Sequence, residues 1–175
     1  MQHQNPDKVS LVKAFEFALN QEETGKSFFA GSLQRMGIGA AVAAFKKLIN
    51  EEEKHIEFIK AILVDLNEHE EIAPSTLAAD DRANSVSFFD ARAKAEFLEK
   101  CLDESMIPDV TVFNVAYLIE RDLSEFYTRM SENTDNPGAR DAFAMLARWE
   151  KGHEQFFKDY RDKLSGVYSK MPWGG

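Results

Sequence analysis

Residues 41–60 have the sequence AVAAFKKLINEEEKHIEFIK, in which apolar side chains recur every three or four positions. This spacing is typical of an amphipathic α-helix with one buried face. Glu52 and His55 continue that face, because side chains three residues apart lie on the same side of a helix. A carboxylate and an imidazole on a buried face need a partner. The stretch therefore predicts a helix that packs against others and carries a polar site in its core.

A related stretch recurs later in the chain. Residues 139–158 have the sequence ARDAFAMLARWEKGHEQFFK, which aligns with residues 41–60 without a gap when the numbering is shifted by 98. The same shift aligns the segments upstream of both stretches. The identical pairs include Ala18/Ala116, Glu22/Glu120, Phe28/Phe126, Ala41/Ala139, Phe45/Phe143, Leu48/Leu146, Glu52/Glu150, His55/His153, Phe58/Phe156 and Lys60/Lys158. Apolar matches could reflect core patterning alone, whereas matched glutamates and histidines indicate a shared polar site.

Helical periodicity predicts four long helices arranged as two hairpins. The hairpins cover about residues 10–67 and 109–165, and residues 68–108 connect them. The predicted fold is an all-α four-helix bundle with a long crossover connection between helices 2 and 3. We expect residues 1–168 to form a single domain and residues 169–175 to be a loose tail.

Each hairpin has a second glutamate 30 residues before the glutamate of its Glu-x-x-His motif. The midpoint of each interval falls in a predicted turn, at Gly37 in the first hairpin and at Asp135 in the second. Because antiparallel helices rise by the same ~1.5 Å per residue, the two glutamates of a hairpin come level with one another. The predicted site has six residues: Glu22, Glu52, His55, Glu120, Glu150 and His153.

The six residues predict a site for two metal ions. They lie on apolar stripes, where four carboxylates would repel one another and lose hydration unless they were paired or bound to metal. Two divalent cations would balance the four charges, and carboxylate and imidazole ligands suit iron or manganese, while zinc also accepts them. One Glu from each of two helices and Glu-x-x-His from the other two is a known metal-binding pattern of bundle cores. A bundle held by buried ion pairs without metal is the alternative.

Composition excludes several other functions. The net charge of −9 argues against a general nucleic-acid binder, which needs a basic face. No apolar run approaches the ~20 residues that span a bilayer, and the first residues lack the pattern of a secretory signal. The single cysteine, Cys101, excludes an intramolecular disulfide and a Cys-x-x-Cys metal site. We therefore expect a cytoplasmic protein that binds neither nucleic acid nor membrane.

The chain resembles the rubrerythrin branch of the ferritin-like superfamily over about residues 10–165. The resemblance is carried by Glu22 to Phe29, Glu52 to His55, Glu120 to Tyr127 and Glu150 to His153. It implies a ferritin-like bundle that binds two iron ions and associates as a homodimer. It also implies ligand roles: Glu52 and Glu150 bridge the two ions, Glu22 and Glu120 bind terminally, and each histidine completes one iron.

Two departures from the family pattern matter. Rubrerythrins proper carry a rubredoxin domain with paired Cys-x-x-Cys motifs, which the single cysteine here cannot supply. Any catalytic turnover would then need a separate electron-donor protein. The family also has an additional glutamate one helical turn after the third-helix ligand, where this chain has Leu123. The site would therefore be symmetric, closer to ferritin-like oxidase centres.

The leading functional hypothesis is a non-haem di-iron oxidoreductase that oxidises Fe(II) with peroxide or dioxygen, as a peroxide reductase or a ferroxidase. The alternatives are an iron-binding or storage protein without sustained turnover, a structural bundle without metal, and di-manganese catalase chemistry. Tyr127 lies two helical turns after Glu120 and could hydrogen-bond a ligand. The residue aligned with it in the first hairpin is Phe29, so core packing explains Tyr127 equally well.

Overall fold

The computed structural model describes residues 6–35, 40–78 and 109–168. These residues contain no strand, which confirms the predicted all-α class. The connection between the hairpins is described only as far as residue 78, and the predicted tail, 169–175, lies outside the described residues. The four long helices are α1 (Pro6–Arg35), α2 (Ala40–His69), α3 (Asp109–Asn133) and α4 (Pro137–Tyr168).

The helices pair as the sequence predicts. α1 packs along α2, α3 packs along α4, and α1 also contacts α3 across the bundle. The first hairpin extends beyond its predicted limits to Pro6 and His69, and the second extends to Tyr168, whereas α3 begins at Asp109 as predicted. Apolar periodicity is weak in the terminal turns of a helix. The ends of a helix depend instead on local signals such as the acidic first-turn residue Asp7 of α1.

α2 ends where the backbone of Glu70 turns into the left-handed region, with φ of 63°. The segment after it is held back against α2 by Asp65. The Oδ2 atom of Asp65 accepts hydrogen bonds from the Thr76 hydroxyl, at 2.7 Å, and from the Ala73 backbone N–H, at 3.0 Å. These two bonds keep the pKa of Asp65 below its ordinary value despite some loss of hydration. The start of the connection is therefore fixed on the end of α2.

Two apolar clusters fill the bundle, one toward each end. The first includes a stacked pair, Phe15 and Phe143, whose ring centroids are 4.3 Å apart, and the second includes a stacked pair, Phe113 and Tyr160, at 3.9 Å. Every helix contributes to both clusters. The six predicted site residues fall between the two clusters along each helix, so apolar side chains enclose the polar layer from both ends.

The second hairpin turn has a well-formed helix cap. Asn136 precedes Pro137, the first residue of α4, and its side-chain oxygen accepts a hydrogen bond from the Ala139 N–H at 2.9 Å. We expect Asn136→Ala to lower the free energy of unfolding by about 1 kcal/mol, which for a chain of this size lowers the melting temperature by about 2–4 °C. Asn133→Ala, at the exposed end of α3, is the matched control and should change the melting temperature by less than half as much. Equal shifts in the two variants would contradict the assigned cap.

Candidate metal centre

All six predicted residues meet in one buried layer of the bundle. α1 and α3 supply Glu22 and Glu120, and each of the other helices supplies one Glu-x-x-His motif. The four glutamates have 0 % of their surface exposed, and the two histidines are also buried. The repeat and the helical spacing therefore predicted correctly which side chains the fold brings together.

Glu150 lies between the two histidines. Its Oε1 atom is 2.7 Å from Nδ1 of His55, and its Oε2 atom is 3.3 Å from Nδ1 of His153. Glu52 also lies between them, with Oε1 at 3.3 Å from Nδ1 of His153 and Oε2 at 3.8 Å from Nδ1 of His55. Each of these carboxylates therefore presents one oxygen to each histidine.

The other two glutamates each approach a single histidine. Glu22 Oε2 is 3.7 Å from Nδ1 of His55, and Glu120 Oε2 is 3.5 Å from Nδ1 of His153. The layer thus has two halves, one formed by Glu22 and His55 and the other by Glu120 and His153. The two halves are related by the internal repeat, and the carboxylates of Glu52 and Glu150 lie between the halves and contact both.

Most of the site's carboxylate oxygens have no hydrogen-bond donor. Among the described residues, both oxygens of Glu52, Glu120 and Glu150 are buried without a hydrogen bond of good geometry, as is Oε2 of Glu22. Buried polar atoms in native proteins are nearly always satisfied, so a group of orphaned oxygens needs a specific explanation. Glu52, His55, Glu150 and His153 each offer one ligand atom within 4.8 Å of the others. The donor set and its spacing therefore fit metal ions of the kind that prefer oxygen and imidazole ligands.

The two histidines are held in their charged form by the surrounding carboxylates. Burial alone lowers the pKa of His55, but the charge and proximity of Glu150, with contributions from Glu22 and Glu52, raise that pKa well above its ordinary value. Burial likewise opposes protonation of His153, and its contacts with Glu120, Glu150 and Glu52 overcome this and raise its pKa. Burial acts to raise the pKa of Glu150, yet the two histidines hold it well below the usual range.

The pKa values of Glu22 and Glu120 are raised, in contrast to the lowered pKa of Glu150. Burial is the largest cause that raises their pKa values well above those of ordinary carboxyl groups, and repulsion from Glu150 and Glu52 adds to it. Without metal, the site is therefore a proton-rich cluster, in which protons take the places that cations would fill.

The amino-acid sequence is matched by the family model of rubrerythrin over residues 13–161. The chain belongs to the rubrerythrin family. Comparison with curated proteins gives no significant match, and neither does comparison with solved structures. Within the described residues, none of the helices combines the length and the apolar character required to cross a bilayer. The match covers both hairpins, so the family's ferritin-like fold applies to the bundle as a whole.

Within this rubrerythrin-family bundle, Tyr127 contacts the site directly. Its hydroxyl donates a short hydrogen bond to Glu22 Oε1, and its side chain is fully buried. Burial and the nearby carboxylate of Glu22 raise the pKa of Tyr127 well above its ordinary value, so the phenol keeps its proton. The structure therefore places Tyr127 both in the apolar core and on a site residue, which joins the two interpretations that the sequence left open.

Trp149 is a neighbour of the site that the sequence analysis missed. Its ring stacks on the imidazole of His55, with centroids 5.0 Å apart and planes 16° apart. In the sequence Trp149 is adjacent to Glu150, but its contact with His55 depends on the packing of the two hairpins. By contrast, Leu123 lies in the apolar core and offers the site no ligand.

Removal of the Tyr127 hydroxyl should weaken metal binding at one half of the site. Residues that hydrogen-bond to a metal ligand commonly contribute 10- to 100-fold to metal affinity. We therefore expect Tyr127→Phe to weaken binding of one metal ion by about 10-fold. Tyr117→Phe is the matched control, because Tyr117 lies on the same helix and contacts Arg161 instead. Titration with Mn(II), followed by electron paramagnetic resonance of the free ion, measures both affinities. Equal weakening of both ions, or of neither, would contradict the assignment of Tyr127 to the Glu22 half.

Proposed function

We propose that the six residues bind two iron ions and that this rubrerythrin-family protein is a non-haem di-iron oxidoreductase. In this proposal its iron pair is oxidised by peroxide or dioxygen. The observation that carries the proposal is the buried layer itself, in which Glu52 and Glu150 each face both histidines with oxygens that lack donors. A structural bundle without metal would have to compensate these buried carboxylates with the two histidines and with bound protons, at the cost of removing the charges from water.

The side chains of the bundle would position the two ions, exclude water from them and hold protons beside them. Glu52 and Glu150 would hold both ions, while Glu22 with His55 and Glu120 with His153 would each complete one. When bound, an Fe(II) pair supplies the two electrons that cleave an O–O bond. The apolar clusters at both ends of the layer limit access of bulk water. Tyr127 keeps a proton on its hydroxyl and directs it at Glu22, which orients that carboxylate.

The proposal includes an external electron donor if the reaction is to repeat. Its test begins with iron content per chain, measured by mass spectrometry after anaerobic purification and Fe(II) loading. We expect about two iron ions per chain and a loss of nearly all iron in the double variant Glu52→Ala/Glu150→Ala. The matched control is Glu57→Ala/Glu125→Ala, which removes one exposed carboxylate from each hairpin and should keep both ions. Little iron in the parent protein, with the helical fold intact, would refute the proposed site.

A second measurement separates an oxidoreductase from an iron-storage protein. The loaded protein is mixed with peroxide or with dioxygen in a stopped-flow instrument, and iron oxidation is followed by absorbance. A chemical reductant is then added, and the cycle is repeated with the same sample. Iron that stays bound and is oxidised again supports a peroxide reductase, and iron that leaves as Fe(III) supports a ferroxidase, whereas iron that stays bound without repeated turnover supports storage.

A further inference from the structure

The two halves of the site have the same ligand types but different neighbours. The internal repeat pairs Glu22 with Glu120 and His55 with His153, so the two halves have the same site residues. Several of the side chains around them do not follow the repeat. At two of these positions only the second hairpin has an oxidisable aromatic residue.

The first difference is Trp149. Its indole stacks on His55, and the imidazole of His55 lies in turn against that of His153, with centroids 5.4 Å apart and planes 19° apart. Trp149 also meets Phe58 edge to face at 5.2 Å and is only partly buried. The repeat places Glu51 at the corresponding position of the first hairpin, and a carboxylate is not an electron donor under these conditions.

The second difference is Tyr127, which donates its hydrogen bond to Glu22. The repeat places Phe29, which has no hydroxyl, at the corresponding position. Trp149 and Tyr127 therefore both contact the half formed by Glu22 and His55. Tyr127 is fully buried and its proton is held by a carboxylate, whereas the indole reaches from His55 toward the protein surface. Of the two, Trp149 is the side chain that connects the site with the outside.

We propose that Trp149 is a redox-active positioning residue that donates one electron, through His55, to the metal position of that half. The inference rests on the proposed function. It applies when peroxide meets a single Fe(II), which can provide only one of the two electrons that the O–O bond requires. In that step the O–O bond breaks, Fe(II) becomes Fe(III), and Trp149 loses one electron and its indole proton. With one further proton from solvent, both oxygen atoms leave as water, and no hydroxyl radical is released.

The experiment uses the full chain loaded anaerobically with one Fe(II) per chain and mixed with hydrogen peroxide. Samples frozen within milliseconds are examined by electron paramagnetic resonance, and later samples are digested to locate oxidised residues by mass spectrometry. We expect a protein radical whose line shape changes when the protein is grown with ring-deuterated tryptophan, and stable oxidation of Trp149. The deuterium experiment needs no variant, so it does not depend on how a substitution folds.

Two variants test the position. Trp149→Phe keeps an aromatic ring that can stack on His55 but is far harder to oxidise, and it should reduce the radical yield at least tenfold while iron content stays unchanged. Trp173→Phe replaces the chain's other tryptophan, which lies outside the described residues, and should leave the yield unchanged.

Several results would overturn the inference. These are iron oxidation without a tryptophan radical, a radical that responds to deuterated tyrosine instead, and a yield that Trp149→Phe does not alter. Failure of the parent protein to bind iron would refute the proposed function, and the inference with it. That result is seen in the metal content before peroxide is added, so the two failures are distinguishable.

Discussion

Binding of two metal ions per chain should raise the melting temperature of this protein by about 15–30 °C. A ligand present at a thousand times its dissociation constant stabilises the folded state by about 4 kcal/mol, and two such sites give about 8 kcal/mol. For a chain of this length, each kcal/mol moves the midpoint by about 2–4 °C. The physical reason is local, because cations would satisfy the buried carboxylate oxygens of Glu52, Glu120 and Glu150 that the metal-free fold leaves without donors.

The measurement is thermal unfolding followed by circular dichroism at 222 nm, a wavelength that reports helix. The protein is compared without metal, with Fe(II) under nitrogen, and with Mn(II) in air, and a chelator should return each loaded sample to the metal-free midpoint. The Glu52→Ala/Glu150→Ala variant should show no metal-dependent shift, while Glu57→Ala/Glu125→Ala should show the full shift. Identical midpoints with and without metal in the parent protein would contradict a built metal site.

The sequence predicted the site more completely than it predicted the surroundings of the site. Apolar patterning alone does not explain glutamate and histidine at matched positions of two hairpins. The height of these residues along the helices follows from the rise per residue alone. All six side chains are buried in one layer as a result. The family match over residues 13–161 agrees with the resemblance that those residues carry.

Trp149 was beyond the reach of the sequence because its role depends on a contact between hairpins. Helical periodicity gives the face of one helix, whereas the stack of Trp149 on His55 requires the relative rotation and separation of α2 and α4. The same limit applies to Tyr127, where the repeat left packing and hydrogen bonding as equal alternatives until the approach of α1 to α3 was known. The short helix that apolar spacing suggests at about residues 90–102 lies outside the described residues.

The stability of the metal-free form should depend on pH more steeply than the stability of the metal-loaded form. Without metal, His55 and His153 have raised pKa values, so their contribution to stability is full below the unfolded pKa of about 6.5 and is lost as pH rises through the folded values. Glu22 and Glu120 also have raised pKa values, and the folded state retains their protons where the unfolded chain has lost them. Each such proton lowers the free energy of unfolding by about 1.4 kcal/mol per pH unit.

The stability of the metal-free protein should therefore fall as pH rises above the unfolded pKa values, which are about 4.3 for Glu22 and Glu120 and about 6.5 for His55 and His153. Glu150 does not reverse this trend, because its lowered pKa gives a contribution that is lost only in acid. Metal binding needs deprotonated ligands and so releases about two protons per ion here, which makes affinity increase with pH. The rise in affinity offsets the fall in metal-free stability, so the loaded protein should keep a nearly constant stability above about pH 6.5, where the unfolded histidines have lost their protons.

Urea unfolding of both forms across this pH range, in the parent protein and in Glu22→Gln/Glu120→Gln, tests the origin of the slope. The variant keeps the size of both side chains and removes two of the four titrating groups, so its metal-free stability should fall less steeply with pH. Glu57→Gln/Glu125→Gln, which alters exposed carboxylates, should leave the slope unchanged. If stability followed the same pH curve with and without metal, the buried protons and the metal ions would not be competing for the same atoms. A slope that largely disappears on metal loading would show that they do, because only shared ligands make the protons that stabilise the metal-free form the protons that metal binding must release.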